Sequence, residues 1–275
     1  MKKRIAKLLA LGLVVGMALT GCGGGNDAGK NADNAAADGD KAMVYAVEAG
    51  SAGEAVAKEK GLQYNSVASQ GDALMEVQAG TSDAAIIDLL MAGAMIGEGT
   101  SYPDMVYTDA LTEEKYGAGC RKGSDLTSFI NSVLAESYAD GSMQEIATTY
   151  GVQESLVEQE AAEYVATEPD SDVAYIQDKG TLVVGITEFA PMDYKDEAGN
   201  WIGFDADMAR LVAEKLGVEA EFVVIEWDNK IMELDSKNID VVWNGMTLTD
   251  EVTNAMECTN AYCNNAQVVV VPGDK

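Results

Sequence analysis

The stretch "TLVVGITEFAPMDYKDEAGNWIGFDADMARLVAEKLGVEAEFVVI", residues 181–225, decides the fold. "TLVVGI" is a nearly continuous apolar run of strand length. "DADMARLVAEKLG" then switches to helical spacing and stops at Gly217, and "AEFVVI" is a second apolar strand. A further helix, "KIMELDSK" (230–237), and a third strand, "IDVVW" (239–243), complete the unit. Strands alternating with helices at this spacing predict a parallel sheet with helices on its faces.

The same order stands upstream, between 43 and 97. "MVYAV" (43–47) is a strand, and "SAGEAVAKEKG" (51–61) is a helix opened by a capping box of Ser51 with Glu54 and closed at Gly61. The strand "YNSVAS" (64–69), the helix "DALMEVQAG" (72–80), the strand "DAAIID" (83–88) and the helix "LLMAGAMIG" (89–97) follow. The two units share an architecture without a visible sequence repeat. In each, a polar residue stands where the third strand ends, Asp88 and Asn244, at the edge where open α/β sheets bind ligands.

Between the units, "YGAGCRKGSDLTSFINSVLAESYADGSMQEIATTYG" (116–151) reads as a short strand and two amphipathic helices. The second helix is expected to open with a capping box of Ser142 and Glu145 and to end at Gly151. Phe129, Ile130, Val133 and Leu134 should face a core. Residues 157–179 are acidic with a Pro and Asp/Ser turn, the composition of a surface connector. Near the C-terminus, "AQVVVV" (266–271) is an apolar strand with no partner in its own lobe's pattern.

At the N-terminus, Lys2, Lys3, Arg4 and Lys7 precede an apolar run from Leu8 to Leu19, too short for a permanent transmembrane helix. This is an export signal. It closes on Leu19-Thr20-Gly21-Cys22, which resembles the lipobox of bacterial lipoproteins and implies acylation at Cys22; an ordinary signal with an incidental cysteine is the alternative. Residues 23–41 lack the apolar residues that offset chain entropy and are expected to be a disordered tether.

The chain is 47% hydrophobic with no second apolar run of spanning length, so its body is expected to be soluble and globular. The formal net charge of −28 makes nucleic acid and anionic lipid surfaces poor partners. Histidine is absent, and Cys120, Cys258 and Cys263 form no CxxC pair, which argues against a zinc or thiol-imidazole site and leaves buried free thiols. No cofactor and no metal are expected.

Taken together, "GTLVVGITEFAPMDYKDEAGNWIGFDADMARLVAEKLGVEAEF" with "WDNKIMELDSKNIDVVWNGMTLT" resembles the first lobe of solute-binding proteins that serve polar amino-acid ABC importers. "VEAGSAGEAV", "SDAAIID" and "EEKYGAGCRKGSDL" resemble that family's second lobe. The resemblance implies the periplasmic-binding-protein type 2 fold, two Rossmann-like α/β lobes joined by hinge strands near 116–121 and 267–271. Here the second half precedes the first, the order of a circular permutation; two fragments joined by chance, or a misassembled sequence, are the alternative. The expected organisation is a signal peptide (1–21), tether (22–41), lobe 2 (42–115), hinge strand with closing helices on lobe 1 (116–156), connector (157–179) and lobe 1 (180–275).

By the same resemblance, Phe189 and Trp227 are aromatic walls of a cleft. Asn244, Gly245 and Thr247 would offer N–H groups and short polar side chains to a ligand carboxylate. Ser51 would add the N–H cluster of a helix N-terminus, and otherwise simply caps that helix. Asp88 would take the ligand's ammonium, or else cap the next helix. Glu188 and Glu48 fall near the cleft by motif position. One residue departs from the pattern: an arginine that clamps the α-carboxylate is normal five positions after Thr247, and Val252 stands there. Neither Arg121 nor Arg210 is an evident substitute, and loss of such a desolvated charge partner costs about 2–5 kcal/mol. Backbone donors or Lys230 would have to compensate, or the ligand lacks an α-carboxylate.

The implied function is a lipid-anchored, extracytoplasmic, monomeric binding protein, not an enzyme, that captures a polar amino acid or amine-bearing solute and delivers it to an ABC permease. Two alternatives stand beside it. One is a dehydratase-like enzyme of the same fold using Glu188 and Asp88 as an acid and base pair; the other is a sensor or surface lipoprotein without uptake.

Overall fold

The computed structural model describes residues 42–166 and 171–273. The export signal, the tether and Cys22 lie outside the described residues. In chain order, β1 (Val44–Glu48), α1 (Ala52–Glu59), β2 (Gln63–Val67), α2 (Gln70–Ala79), β3 (Ala84–Asp88), α3 (Leu89–Met95) and β4 (Met105–Tyr107) come first. Two short strands, β5 (Glu114–Tyr116) and β6 (Gly119–Cys120), lead to α4 (Leu126–Asp140), α5 (Ser142–Tyr150) and α6 (Asp172–Lys179). Then come β7 (Thr181–Ile186), the hairpin β8 (Tyr194–Lys195) and β9 (Trp201–Ile202), α7 (Phe204–Leu216), β10 (Glu219–Val224), α8 (Lys230–Asp235) and β11 (Val241–Val242). The chain finishes with α9 (Asp250–Ala255), β12 (Glu257–Cys258), β13 (Cys263–Asn265) and β14 (Gln267–Pro272).

Two five-stranded sheets result, ordered β2-β1-β3-β14-β4 and β10-β7-β11-β6-β12. In each, the first three strands are parallel and the fourth antiparallel. That fourth strand always comes from chain that has just left the other lobe: β6 follows the lobe of β1 to β4, and β14 follows the lobe of β7 to β12. The lobes therefore exchange strands. This is the two-lobed α/β architecture of the type 2 fold, with the lobe expected second met first along the chain.

The exchange corrects two expectations. Residues 267–271 are not a hinge, and the 180–275 segment is not wholly one lobe, because β14 lies between β3 and β4 of the other sheet. Its alternate valines explain this: Val268 and Val270 are fully buried, opposite Ile87 and Ala85. The ribbon between the lobes is instead β5 with β13, Tyr116 opposite Cys263.

Local chemistry explains most helix boundaries. Ser51 Oγ accepts from Glu54 N at 3.1 Å, while Glu54 Oε2 reaches Gly50 N at 3.0 Å, one residue beyond the usual capping-box donor. α2 and α7 end on Gly80 and Gly217 in the left-handed conformation. The box expected of Ser142 and Glu145 does not form: Gly141 occupies the N-cap, and the Ser142 hydroxyl turns to Asp140 Oδ1 at 2.7 Å. The connector is also corrected at its end, where α6 buries Val173 and Ile176 and places Asp172 3.0 Å from Arg121.

Candidate functional site

A cavity of about 220 Å³ opens between the lobes. β1, β3 and the first turn of α1 supply Glu48, Asp88 and Ser51 from one side. The turn after β7, the 3-10 turn at Trp227–Asn229, the loop after β11 and the start of α9 supply Phe189, Trp227, Gly245 and Val252 from the other. The walls touch: Lys230 Nζ donates to Gly50 O across the cleft at 2.9 Å, and a Cβ on Gly50 would stand 2.8 Å from Asp228 Cα. Gly50, at φ +69°, is required there twice over.

Seven of the eight residues expected at the site line this one cavity: Phe189, Trp227, Asn244, Gly245, Thr247, Ser51 and Asp88. Glu188 does not. It lines a separate cavity of about 440 Å³, with Asp72, Met75, Met91, Met95 and Tyr102. Adjacent residues of an extended segment face opposite ways, so Phe189 in the cleft turns Glu188 out of it.

Several expected roles change at the level of atoms. The Asn244 side chain is spent within its own lobe. Its Oδ1 accepts from Thr187 N and Oγ1, and its Nδ2 donates to Thr187 O and, at 2.7 Å, to Asp193 Oδ2. Gly245 N donates at 2.6 Å to Asp205 Oδ2, which also accepts from Tyr262 Oη at 2.8 Å. Thr247 Oγ1 donates to Glu114 Oε2 at 3.1 Å. Gly245 is still indispensable, with φ +55° and a notional Cβ 2.4 Å from Phe189 Cε1.

Asp88 sits at the centre of a polar nest that sequence reading missed. Its Oδ1 accepts from Tyr116 Oη at 2.8 Å, from Gln267 Nε2 at 3.0 Å and from Asn265 Nδ2, and its Oδ2 accepts from Gln70 Nε2. Burial pushes its carboxyl up to about 7, nearby Glu114 adds to the rise, and the Tyr116, Gln70 and Asn265 donors oppose it. The polar residues that open the apolar run "QVVVV", together with Gln70 behind the Ser69 cap, were the available signal.

Glu48 is the complementary case. It is 3% exposed, and its Oε1 has no hydrogen-bond partner among the described residues. Burial pushes it up to about 8, with repulsion from Asp88 second and attraction to Lys230 and to the Gln70 amide opposing. Burial lowers Lys230, whose ammonium lies 4.9 Å above the Trp227 ring and also donates to Trp227 O at 3.2 Å. Val252 packs with Trp227, Met246 and Met256 in an apolar cluster. Neither arginine reaches the cavity: Arg121 binds Asp172 and the carbonyls of Leu234 and Ile239, and Arg210 binds Asp207 and stacks over Phe222.

Beneath the Gly245 loop, Asp193 and Asp205 are fully buried. Each keeps one oxygen, Oδ1, without a partner among the described residues. Burial pushes both carboxyls up, and for Asp193 the neighbouring Asp205 adds to the rise.

Residues 182–275 match the family described as bacterial extracellular solute-binding proteins, family 3. The L-cystine-binding protein TcyJ of Escherichia coli (strain K12) is 33% identical over 102 residues, 36% of this chain and 38% of that protein. The arginine-binding extracellular protein ArtP of Bacillus subtilis (strain 168) is 32% identical over 97 residues, 35% and 38% of the two chains. A cyclohexadienyl dehydratase of Pseudomonas aeruginosa is 31% identical over 83 residues, 30% and 31% of the two chains. The chain thus spans well under half the length of these relatives. Among solved structures, an ancestral cationic amino acid solute-binding protein is 40% identical over 30% of this chain and 37% of its own, with a TM-score of 0.30.

Proposed function

We propose that this chain, whose residues 182–275 match the family 3 extracellular solute-binding proteins, captures a small polar solute between its lobes and presents it to the permease of an ABC importer. One observation carries the reading: a small cavity walled by both lobes, with aromatic faces on one side and buried carboxylates on the other. Flat aromatic faces suit an aliphatic chain or a cation, and the acids suit an amine. Closure moves the lobes about the β5 and β13 ribbon, a short two-stranded pivot. Export and acylation at Cys22 would hold the protein, as a monomer, outside the cytoplasm on its tether.

The dehydratase-like alternative loses its acid and base pair, because Asp88 and Glu188 line different cavities. Mass spectrometry of solute released on denaturing the purified full-length protein tests the binding reading. One small polar solute, recovered unchanged and rebinding in calorimetry, is the expected result. Conversion of the rebound solute to a product would replace binding with catalysis.

A further inference from the structure

We propose that the solute is a small diamine without a carboxylate, one of whose ammonium groups is held by Glu48 in the lobe of β1. This deepens the solute-binding reading and rests on it. The primary observation is Glu48 itself: a carboxyl almost wholly buried, at the wall of the cavity, with one oxygen unpartnered among the described residues. A buried acceptor left unmade costs free energy that an incoming ammonium recovers. Asp88, beside it, is already surrounded by four donors, so Glu48 is the acid with capacity to spare.

The other end of the cavity is built against a carboxylate. Three of its N–H and O–H donors are committed to the protein: Gly245 N to Asp205, Thr247 Oγ1 to Glu114, and Val252 N to Thr249 Oγ1 at 3.2 Å. Lys230 is tied to two carbonyls. Val252, 5% exposed, offers only methyl groups where a guanidinium would be needed. Asp250 and Glu251, in the first turn of α9, add negative charge to the same wall. The N–H groups of the first turn of α1 remain for an anion, but Glu54 in that turn offsets their partial charge. A ligand with donors at both ends and an aliphatic middle matches this lining, the middle lying against Phe189 and Trp227. The cavity of about 220 Å³ limits it to a short chain.

Calorimetry on the full-length protein with matched pairs tests the proposal: 1,4-diaminobutane against ornithine, and 1,5-diaminopentane against lysine, members of each pair differing only in the carboxylate. Arginine, cystine, histidine and glutamate complete the panel. At least tenfold tighter binding of a diamine than of its carboxylated twin is expected. Glu48→Gln should weaken diamine binding at least tenfold without lowering the melting temperature, whereas Val252→Arg should shift preference toward ornithine and lysine. A preference under tenfold, or diamine affinity unchanged in Glu48→Gln, overturns the inference. If an α-amino acid binds and the diamines do not, the diamine proposal fails and solute capture stands; if nothing in the panel binds, both fail.

Discussion

In the lobe of β7, Asp193 and Asp205 lie fully buried beneath the Gly245 loop; in the lobe of β1, Glu48 and Asp88 lie at the cavity wall. Both pairs are pushed up by burial, yet they have different partners. Asp205 accepts from the backbone of the loop and from Tyr262, and Asp193 from Asn244, so that pair positions the aromatic wall. Asp88 is enclosed by donors from α2, β5 and β14, and Glu48 beside it is left short. A raised carboxyl alone does not mark a ligand site; what surrounds its oxygens separates scaffold from binding group.

Removing the scaffold acid should break that contrast most sharply. Asp205→Ala strands two buried donors, Gly245 N–H and Tyr262 O–H, at about 1–3 kcal/mol each, and should lower stability by about 4 kcal/mol in urea denaturation. Glu48→Gln strands none among the described residues. Equal losses from the two variants would erase the distinction.

Next in size is Gly245→Ala. Its φ of +55° disfavours a Cβ, and that Cβ would stand 2.4 Å from the Phe189 ring. Backbone strain and the forced shift of Phe189 should together cost about 3 kcal/mol, seen as a melting temperature lower by roughly 6–12 °C. Solute affinity should fall with it, since Phe189 is part of the wall.

How much of this was legible in the sequence follows from the range of the interactions involved. The strand and helix order of both lobes was readable because apolar period, Gly217 and the Ser51 cap act within a few residues. The seven residues of the cavity were readable through the family resemblance, supported independently at Asp88 and Asn244 because each stands where a third strand ends. The largest failure was long-range. β14 joins the other lobe's sheet about 180 residues away from its partner β3 in the chain, and no local pattern names a partner across such a distance. Asn244 and Thr247 were assigned to a ligand because their side chains suit one, but Thr187, Asp193 and Glu114 reach them first. Glu188 was misplaced by one step of an extended chain. The Ser142 box lost to Gly141, whose φ of +88° turns the chain before the serine can cap it.

The smallest expected effect tests whether Asp193 and Asp205 share their burden as buried acids. Both have folded values above the ordinary carboxylate range, so the folded protein binds more protons than the unfolded chain between about pH 4 and neutrality. Stability from this source is complete below the unfolded value and is lost as pH rises through the folded one. Melting temperature should therefore climb as pH falls from 8 to 5. Glu48 and Asp88 act in the same direction, whereas Glu54 and Asp172, whose values are lowered, withdraw stability only below about pH 4. Asp193→Asn removes one charge of the pair, so it should gain roughly 1–2 kcal/mol at pH 8 and flatten the slope. The exposed Glu219→Gln makes the same change in net charge away from the pair and separates this effect from relief of general repulsion. A slope flattened equally by both variants would assign the pH dependence to net charge and leave the buried pair with a purely positional role.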